Sequence, residues 1–276
     1  MAFGELTRIG SNLSAMEALK AFNKINGQLA ATQSRLSTGK RIIRAQDDTA
    51  GYHIAKSLES RVRGLKQAFD NVGTAKNVLN VAESSFEAQM TLILGIKDKA
   101  SQAADGSLTE DQRGAIQIQI DAMLEEIDDI AESTTWQGTL LNQGDGTPTD
   151  LTFHVGDESD DSFTVTLAGF DSVTVGTVDV SSSVSASAAI TQLETSITAL
   201  ANDIQTVGNY QIRLNSKEGM LSDSVMNTEA ARSRIEDADF AKEQMEAMKL
   251  QILQQTSMTS FTQSNTQPQL VLSLFR

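Results

Sequence analysis

The chain has 276 residues, of which 39% are hydrophobic but only 5% aromatic, so its core must consist mainly of aliphatic side chains. It carries 22 basic and 36 acidic residues, a net charge of −14, which argues against nucleic-acid binding because phosphate neutralisation requires a basic surface. Without cysteine the chain cannot form disulfides, thiolate nucleophiles or Cys-based zinc sites, and two histidines leave no set for a histidine metal site.

The sequence predicts no membrane insertion, because it contains no run of 18 or more apolar residues. Its first 20 residues include Glu5, Arg8, Glu17 and Lys20 and lack the apolar segment of a secretory signal peptide. Two interpretations stay open at this point: a cytoplasmic protein, or a protein that is exported without a cleaved signal.

Charge is distributed unevenly along the chain. Residues 1–66 carry 11 basic and five acidic side chains, whereas residues 104–205 carry one basic side chain, Arg113, and 19 acidic ones. Negative charge at this density repels other copies of itself. We therefore expect the middle of the chain to be solvated and the two ends to meet other surfaces; the alternative is that the uneven charge only keeps the protein surface soluble.

The N-terminal region predicts an amphipathic helix, since its apolar residues recur mostly at steps of three and four. They include Leu13, Met16, Phe22, Leu29 and Leu36.

Three longer helices follow. In the first, apolar residues occupy every seventh position from Leu65 to Ile93, and a second apolar position lies three residues after most of them, with Gln89 as the exception. Residues 109–112 match a capping box that opens the second helix after a turn near Gly106. The third repeats the seven-residue spacing over residues 193–221. Helices whose apolar seams share a period should pack into an elongated, coiled-coil-like rod.

Residues 137–183 predict a small β-rich region. Several glycines and Pro148 separate short alternating runs at 151–155, 162–167 and 173–175, which are typical of strands joined by turns. The predicted fold is therefore mainly α, a helical rod with a small β-hairpin region.

The C-terminal region again predicts an amphipathic helix, which can pair with the N-terminal one in a terminal coiled-coil domain. Its apolar residues include Ile252, Leu253, Leu270, Leu272, Leu274 and Phe275. A two-helix pair buries little apolar surface, and short isolated helices are marginally stable in water. We expect other copies of the chain to supply the missing cover; the alternative is that both ends fold back on the rod.

Long sequence blocks at both ends resemble those of one family. They are residues 35–42 (RLSTGKRI), 45–51 (AQDDTAG) and 231–240 (ARSRIEDADF), and residues 251–255 and 267–276 are similar to the family's final helix and terminus. The family is bacterial flagellin. The resemblance covers roughly residues 1–142 and 190–276.

The resemblance implies a structural subunit of the extracellular bacterial flagellar filament, which serves swimming motility. In this family paired terminal helices form an inner tube and order on assembly, which assigns residues 1–45 and 235–276 to a terminal assembly domain. Residues 46–136 and 184–234 would form the rod, and residues 137–183 the exposed surface region. The implied partners are other copies of the chain, the flagellar type III export apparatus, an export chaperone, the filament cap and hook–filament junction proteins.

Charged residues of the matched blocks are candidate contacts between copies. Such pairs fix register while adding little net stability; the alternative is solvated helix faces with weak ion pairs. The candidates are Arg44, Asp47, Asp48, Arg232, Arg234, Glu236, Asp237 and Asp239. Two glycines in these blocks, Gly39 and Gly51, are expected to serve turns or close packing.

The resemblance also bears on an innate immune Toll-like receptor that detects some flagellins. Alignment of residues 102–105 places Gly95 where receptor-binding members carry a key arginine, and Leu94 replaces a polar residue beside it. We therefore predict weak or absent receptor activation.

The sequence predicts neither an enzyme nor a cofactor-binding protein, because it has no His-Glu-x-x-His, Gly-x-Ser-x-Gly or glycine-rich phosphate motif. Two other functions stay open. A hook–filament junction protein shares the terminal helices of flagellin, and an unrelated coiled-coil scaffold would explain the seven-residue spacing but not the matched end blocks. Those blocks favour the filament subunit.

Overall fold

The computed structural model describes residues 12–143 and 147–273, with side chains up to residue 266. Within these ranges the chain forms six helices and two pairs of strands. The elements are α1 (Leu13–Thr38), α2 (Thr49–Ala103), α3 (Glu110–Ser133), β1 (Thr135–Trp136), β2 (Thr139–Leu140), β3 (Thr149–His154), β4 (Ser162–Leu167), α4 (Ser172–Val175), α5 (Ser183–Glu236) and α6 (Phe240–Ser273). The predicted mainly helical fold with a small β region is confirmed.

The chain divides into two compact units. We call Met1–Ser60 with Thr228–Arg276 the terminal unit and Arg61–Asn227 the central unit. Helices α2 and α5 each contribute residues to both units.

In the terminal unit, α1 and α6 pack as an antiparallel pair. Near the start of α1, Asn12 Nδ2 donates to the Ser264 carbonyl oxygen at 2.9 Å. Near its end, Arg35 Nη1 lies 3.6 Å from Glu243 Oε1. The two terminal helices therefore pair along their length, as the sequence predicts.

Gly39, in the loop after α1, and Gly51, in the first turn of α2, have the roles expected of them. Gly39 ends α1 in the left-handed conformation, with φ of +70°, and its N–H donates to the Arg35 carbonyl oxygen. At Gly51 a Cβ atom would lie 2.5 Å from Asp48 Oδ2 and 2.7 Å from Ile42 Cδ1, so a larger residue would require these two side chains to move.

In the central unit, α2, α3 and α5 enclose one apolar core. The seven-residue positions of α2 and α5 are buried, among them Val72, Phe86, Leu193 and Leu214. The predicted seams are thus confirmed as core positions. Helix α3 opens with the predicted capping box, in which the Thr109 hydroxyl accepts from the backbone of Gln112 and the Gln112 side chain accepts from the backbone of Thr109.

Gln89 interrupts the apolar seam of α2 and is fully buried. Its amide nitrogen donates to the carbonyl oxygens of Ile127 at 3.2 Å and Phe170 at 3.0 Å, and its amide oxygen accepts from Asn142 at 3.2 Å. This polar network joins α2 to α3 and to the segment after β4. Burial of an amide at this position is therefore compensated by hydrogen bonds.

Arg113 is the one basic residue of the acidic stretch 104–205, and it is buried. Its Nε donates to the carbonyl oxygen of Ala103 at 2.9 Å, and its Nη2 donates to that of Asp105 at 2.7 Å. The side chain thus satisfies backbone groups at the C-terminal end of α2, where a positive charge is also favourable.

The β region contains two antiparallel hairpins. β3 and β4 pair from Thr149 with Leu167 to His154 with Ser162, close to the predicted strand bounds. The sequence does not predict the smaller hairpin of β1 and β2. Its turn residues, Gln137 and Gly138, both have positive φ, of 49° and 84°, which is the geometry of a type I′ turn.

The strand predicted at residues 173–175 is wrong, because these residues belong to the single helical turn α4. Asp171 Oδ1 accepts hydrogen bonds from both the backbone N–H and the hydroxyl of Thr174. This N-terminal cap stabilises a helical turn at a position where the alternation of valine and threonine indicates a strand.

Candidate assembly surface

Helix α6 turns its large apolar side chains away from α1. The α6 residues that are buried or that bond to α1 include Glu243, Ala247, Leu250 and Gln254. By contrast, several large apolar side chains on this helix are exposed together with its polar ones. They are Phe240 (65%), Met245 (61%), Met248 (49%), Ile252 (64%), Leu253 (40%) and Met258 (49%). An exposed apolar surface of this size is typical of an interaction surface.

The five α1 residues predicted at the assembly interface differ in burial. Leu13 and Met16 are exposed, Phe22 and Leu36 are half-buried, and Leu29 is buried in the pair with α6. The side chains of Leu270 and Leu272, and the whole of Leu274 and Phe275, lie outside the described residues.

The two matched sequence blocks meet at the end of the α1–α6 pair. The Arg41 N–H donates to the Glu236 carbonyl oxygen at 2.7 Å, and the Ala238 N–H donates to that of Gly39 at 2.9 Å. Lys40 forms a β-bridge with Asp237. Backbone hydrogen bonds therefore join residues nearly 200 positions apart in the chain.

An ion pair with a buried carboxylate lies at the same junction. Lys40 Nζ is 2.6 Å from Glu236 Oε1, and Arg232 Nε is 3.9 Å from the other oxygen of this carboxylate. Glu236 is 6% exposed. Of the predicted charged contacts, the structure brings Arg232 and Glu236 together within one chain. Lys40 is missing from the predicted set, although it lies within the first matched block.

Three of the other predicted carboxylates accept backbone hydrogen bonds at helix starts or turns. Asp47 Oδ2 accepts from the N–H groups of Arg44 and Ile43, and these bonds lower the pKa of Asp47. Asp48 Oδ1 accepts a hydrogen bond from the Gly51 N–H at the start of α2, and Asp239 Oδ1 accepts one from the Lys242 N–H at the start of α6. Arg44, Arg234 and Asp237 are exposed, as are Asp47, Asp48 and Asp239.

Gly95 lies in the second half of α2 and is half-buried. A Cβ atom there would lie 3.8 Å from Met123 Sδ on α3, which is an ordinary contact distance. The neighbouring Leu94 is 46% exposed.

No described helix is both long enough and apolar enough to cross a membrane. Within the same residues, no group of three or more His, Cys, Asp or Glu side chains is arranged to hold a metal ion.

The family of the chain follows from comparison with known proteins. Residues 9–147 match the bacterial flagellin N-terminal helical region, and residues 188–275 match the bacterial flagellin C-terminal helical region. The chain therefore belongs to the bacterial flagellin family, which confirms the resemblance of the end blocks and excludes an unrelated scaffold. It is a structural subunit that polymerises with itself into the extracellular flagellar filament, and it is not an enzyme.

Curated relatives match over nearly their full length. Flagellin of Halalkalibacterium halodurans is 31% identical, the flagellar filament 33 kDa core protein of Treponema phagedenis is 30% identical, and flagellin FlaB1 of Treponema pallidum (strain Nichols) is 29% identical. Each alignment covers 97% of this chain and 99% of the relative.

Solved structures share the fold. The crystal structure of Bacillus cereus flagellin is 23% identical, with a TM-score of 0.51 over 59% of this chain and 94% of that one. A putative flagellar hook-associated protein from Vibrio parahaemolyticus is 12% identical, with a TM-score of 0.58 over 69% and 100% of the two chains. The fold is thus common to a flagellin and a hook-associated protein, and the sequence comparisons identify the filament family.

Proposed function

We propose that the terminal unit carries the surface through which copies polymerise, and that the exposed apolar side of α6 is its central part. We call this the assembly face; it consists of Phe240, Met245, Met248, Ile252, Leu253 and Met258. The supporting observation is that α6 leaves its large apolar side chains outside the pair with α1. Full burial of one such side chain contributes about 1.5–3 kcal/mol, so a few of them suffice for a stable contact between copies.

The N-terminal helix extends the same interface. Leu13 and Met16 are exposed and can contact a neighbouring copy directly. Phe22, Leu29 and Leu36 pack at least partly within the chain, so their contribution is to hold α1 against α6. We propose that Leu270, Leu272, Leu274 and Phe275 also belong to the interface between copies.

The charged residues of the matched blocks would fix the register between copies. Arg44 and Arg234 are exposed cations, and the exposed Asp47, Asp48, Asp237 and Asp239 are acceptors of suitable charge on a neighbouring copy. Arg232 and Glu236 act mainly within the chain, through the ion pair with Lys40. Charge pairs of this kind decide orientation more than affinity.

The terminal helices would order fully only on assembly. Among the described residues of the terminal unit, the larger apolar side chains that are buried are Leu29, Ile42 and Leu250. So small a core offsets little of the conformational entropy of two long helices. Assembly adds the burial of the assembly face, so folding of α1 and α6 is coupled to polymerisation. On this proposal residues 1–45 and 235–276 form the inner tube, residues 46–136 and 184–234 the rod, and residues 137–183 the outer surface.

The proposal is tested at one exposed position. Ile252→Gln should leave the circular dichroism spectrum of the monomer unchanged, because Ile252 is 64% exposed. It should raise the critical concentration of seeded polymerisation roughly 10- to 100-fold, the equivalent of 1.5–3 kcal/mol of lost burial. The matched control Ile252→Leu keeps the apolar surface and should polymerise normally. Normal polymerisation of the glutamine variant would contradict the assembly face.

The remaining partners belong to export and assembly in the cell. We propose that the chain leaves through the flagellar type III apparatus with an export chaperone, adds beneath the filament cap, and meets hook–filament junction proteins at the base of the filament. The chain has no cysteine and only two prolines, and both features suit passage of an unfolded chain. Secretion should stop in a flagellated host whose export gate is inactivated; undiminished secretion would contradict this route.

Receptor activation should be weak or absent because Gly95 stands in place of the key arginine of receptor-binding flagellins. The open space around Gly95 allows a direct test with Gly95→Arg, since a Cβ there meets Met123 only at 3.8 Å. We expect the variant to activate a Toll-like receptor reporter more strongly than the natural chain. Strong activation by the natural chain at low concentration would contradict the proposal.

A further inference from the structure

The oxidisable sulfur of this chain is concentrated on exposed surface. The chain has nine methionines and no cysteine, so thioethers are its only sulfur groups. Of the eight methionines within the described residues, Met90 and Met123 are half-buried and the other six are exposed. Four of those six lie in the terminal unit: Met16, Met245, Met248 and Met258.

We infer that these four methionines are a modification site at which peroxides reversibly block polymerisation of the subunit. Hydrogen peroxide transfers one oxygen atom to Sδ: an S–O bond forms, the O–O bond breaks and water leaves. The sulfur is thereby oxidised by two electrons and the peroxide is reduced. Methionine sulfoxide reductases reverse the change, one enzyme for each sulfoxide epimer. The inference rests on the proposed assembly face.

The position of the sulfur atoms explains why the effect should be large. Met245, Met248 and Met258 are half of the assembly face, and Met245, Met248 and Ile252 follow one another at steps of three and four on a single helix face. A sulfoxide is polar, and burying a polar group without a hydrogen-bond partner is costly. Oxidation therefore removes apolar contact and adds a desolvation cost at the same place.

The exposure of these side chains also decides at which stage of assembly the subunit is sensitive to peroxide. In the single chain 49–65% of each of the four is accessible, so peroxide can reach the sulfur atoms. Once neighbouring copies cover the assembly face and the exposed start of α1, the same four sulfur atoms are shielded from peroxide. The subunit before assembly, rather than the finished filament, is the sensitive form.

The test compares seeded polymerisation before and after treatment of the monomer with hydrogen peroxide, with the extent of oxidation at each methionine measured by peptide mass spectrometry. Oxidation at the four sites should raise the critical concentration at least tenfold, and treatment with both reductases should restore it. A variant with all four replaced, M16L/M245L/M248L/M258L, should polymerise equally well with and without peroxide, because leucine matches methionine in volume and resists oxidation. The control M90L/M123L should remain sensitive.

Unchanged polymerisation of the natural chain with all four methionines oxidised would overturn the inference, as would equal inhibition of the four-leucine variant. If the four-leucine variant does not polymerise, the oxidation rates of the natural chain in monomers and in filaments provide the test. Peroxide should oxidise the four sites at least tenfold more slowly in filaments than in monomers, and equal rates would overturn the inference. If the proposed assembly face is wrong, the Ile252→Gln variant polymerises normally, so this outcome is distinguished from failure of the present inference.

Discussion

Single residues in this protein are placed by what their polar atoms require. Gln89 lies at an apolar seam position because α3 and the segment after β4 supply partners for its amide. Arg113 is buried because carbonyl groups at the end of α2 accept its N–H groups. Asp203 differs from both, since desolvation dominates its environment and raises the pKa of its carboxyl group above the ordinary value of 3.8.

Asp203→Asn should stabilise the protein at neutral pH. Because the pKa of Asp203 is raised in the folded state, the folded chain binds the proton more tightly than the unfolded chain. Its contribution to stability is present below pH 3.8 and is lost as the pH rises through the folded pKa. Asparagine avoids the half-buried charge, so thermal unfolding should show a higher Tm at pH 7 and a smaller difference near pH 3. A difference that does not shrink on acidification would contradict this cause.

Gly39→Ala should destabilise the terminal unit by about 1 kcal/mol, because alanine is disfavoured at a φ of +70°. No atom lies within 4 Å of the added Cβ, so the cost is one of backbone conformation alone. Gly27→Ala is the matched control. Gly27 lies inside α1 with the same open surroundings, and alanine there should stabilise by roughly 0.5–1 kcal/mol. Hydrogen exchange of α1 amides measures both effects, and equal shifts in the two variants would contradict the assignment.

At the scale of elements, α2, α3 and α5 owe their packing to regular apolar seams, in which Gln89 is the polar exception on α2. The exception specifies how the helices meet the β region, since a buried amide must find its partners in one arrangement. Helix α6 has a different character. Apolar residues occur on most of its sides, and its pair with α1 uses Ala247 and Leu250 while leaving larger side chains exposed.

Gln89→Leu should destabilise the central unit by roughly 1–3 kcal/mol, because buried groups of Asn142 and Phe170 lose a hydrogen-bond partner. Urea unfolding followed by circular dichroism measures the change. The control is Gln67→Leu, an exposed position on the same helix, which should change stability by less than about 0.5 kcal/mol. If the Gln89→Leu variant is as stable as the natural chain, apolar packing of leucine compensates for the lost hydrogen bonds.

At the scale of the whole molecule, the two units differ in how much apolar surface they bury. The central unit has a continuous core that runs from Leu65 on α2 to Leu221 on α5. The described part of the terminal unit buries few large side chains and exposes many. Local stability follows buried apolar contact, so the units should open independently.

Hydrogen exchange of the dilute monomer should therefore show two classes of amides. Those of α1 and α6 should exchange at least about 100-fold faster than those of α3 and of the α2 segment 72–96. In filaments the difference should largely disappear, because neighbouring copies bury the assembly face. Full protection of α1 and α6 in the dilute monomer would contradict coupled folding and assembly. A chain that lacks residues 235–276 should form no tubes on seeds, since it has no assembly face.

The amino-acid sequence by itself determined the helical seams, the capping box of α3, the β3–β4 hairpin and the flagellin family. The first three depend on spacing and local physics, whereas the family follows from the resemblance of contiguous blocks at the two ends. Only the tertiary structure decided which side of α6 faces α1, since a helix with apolar residues all around has no preferred face until a partner packs on it.

Contacts between distant parts of the chain were likewise decided only by the tertiary structure. The ion pair of Lys40 with Glu236 joins residues 196 positions apart, and Arg113 finds its carbonyl partners only after the turn between α2 and α3 is made. Residues 173–175 alternate like a strand but form a helical turn, because the cap from Asp171 and the burial of Val175 outweigh a weak local preference. Hydrogen-bond partners and buried faces are properties of the folded chain, so spacing alone could not predict them.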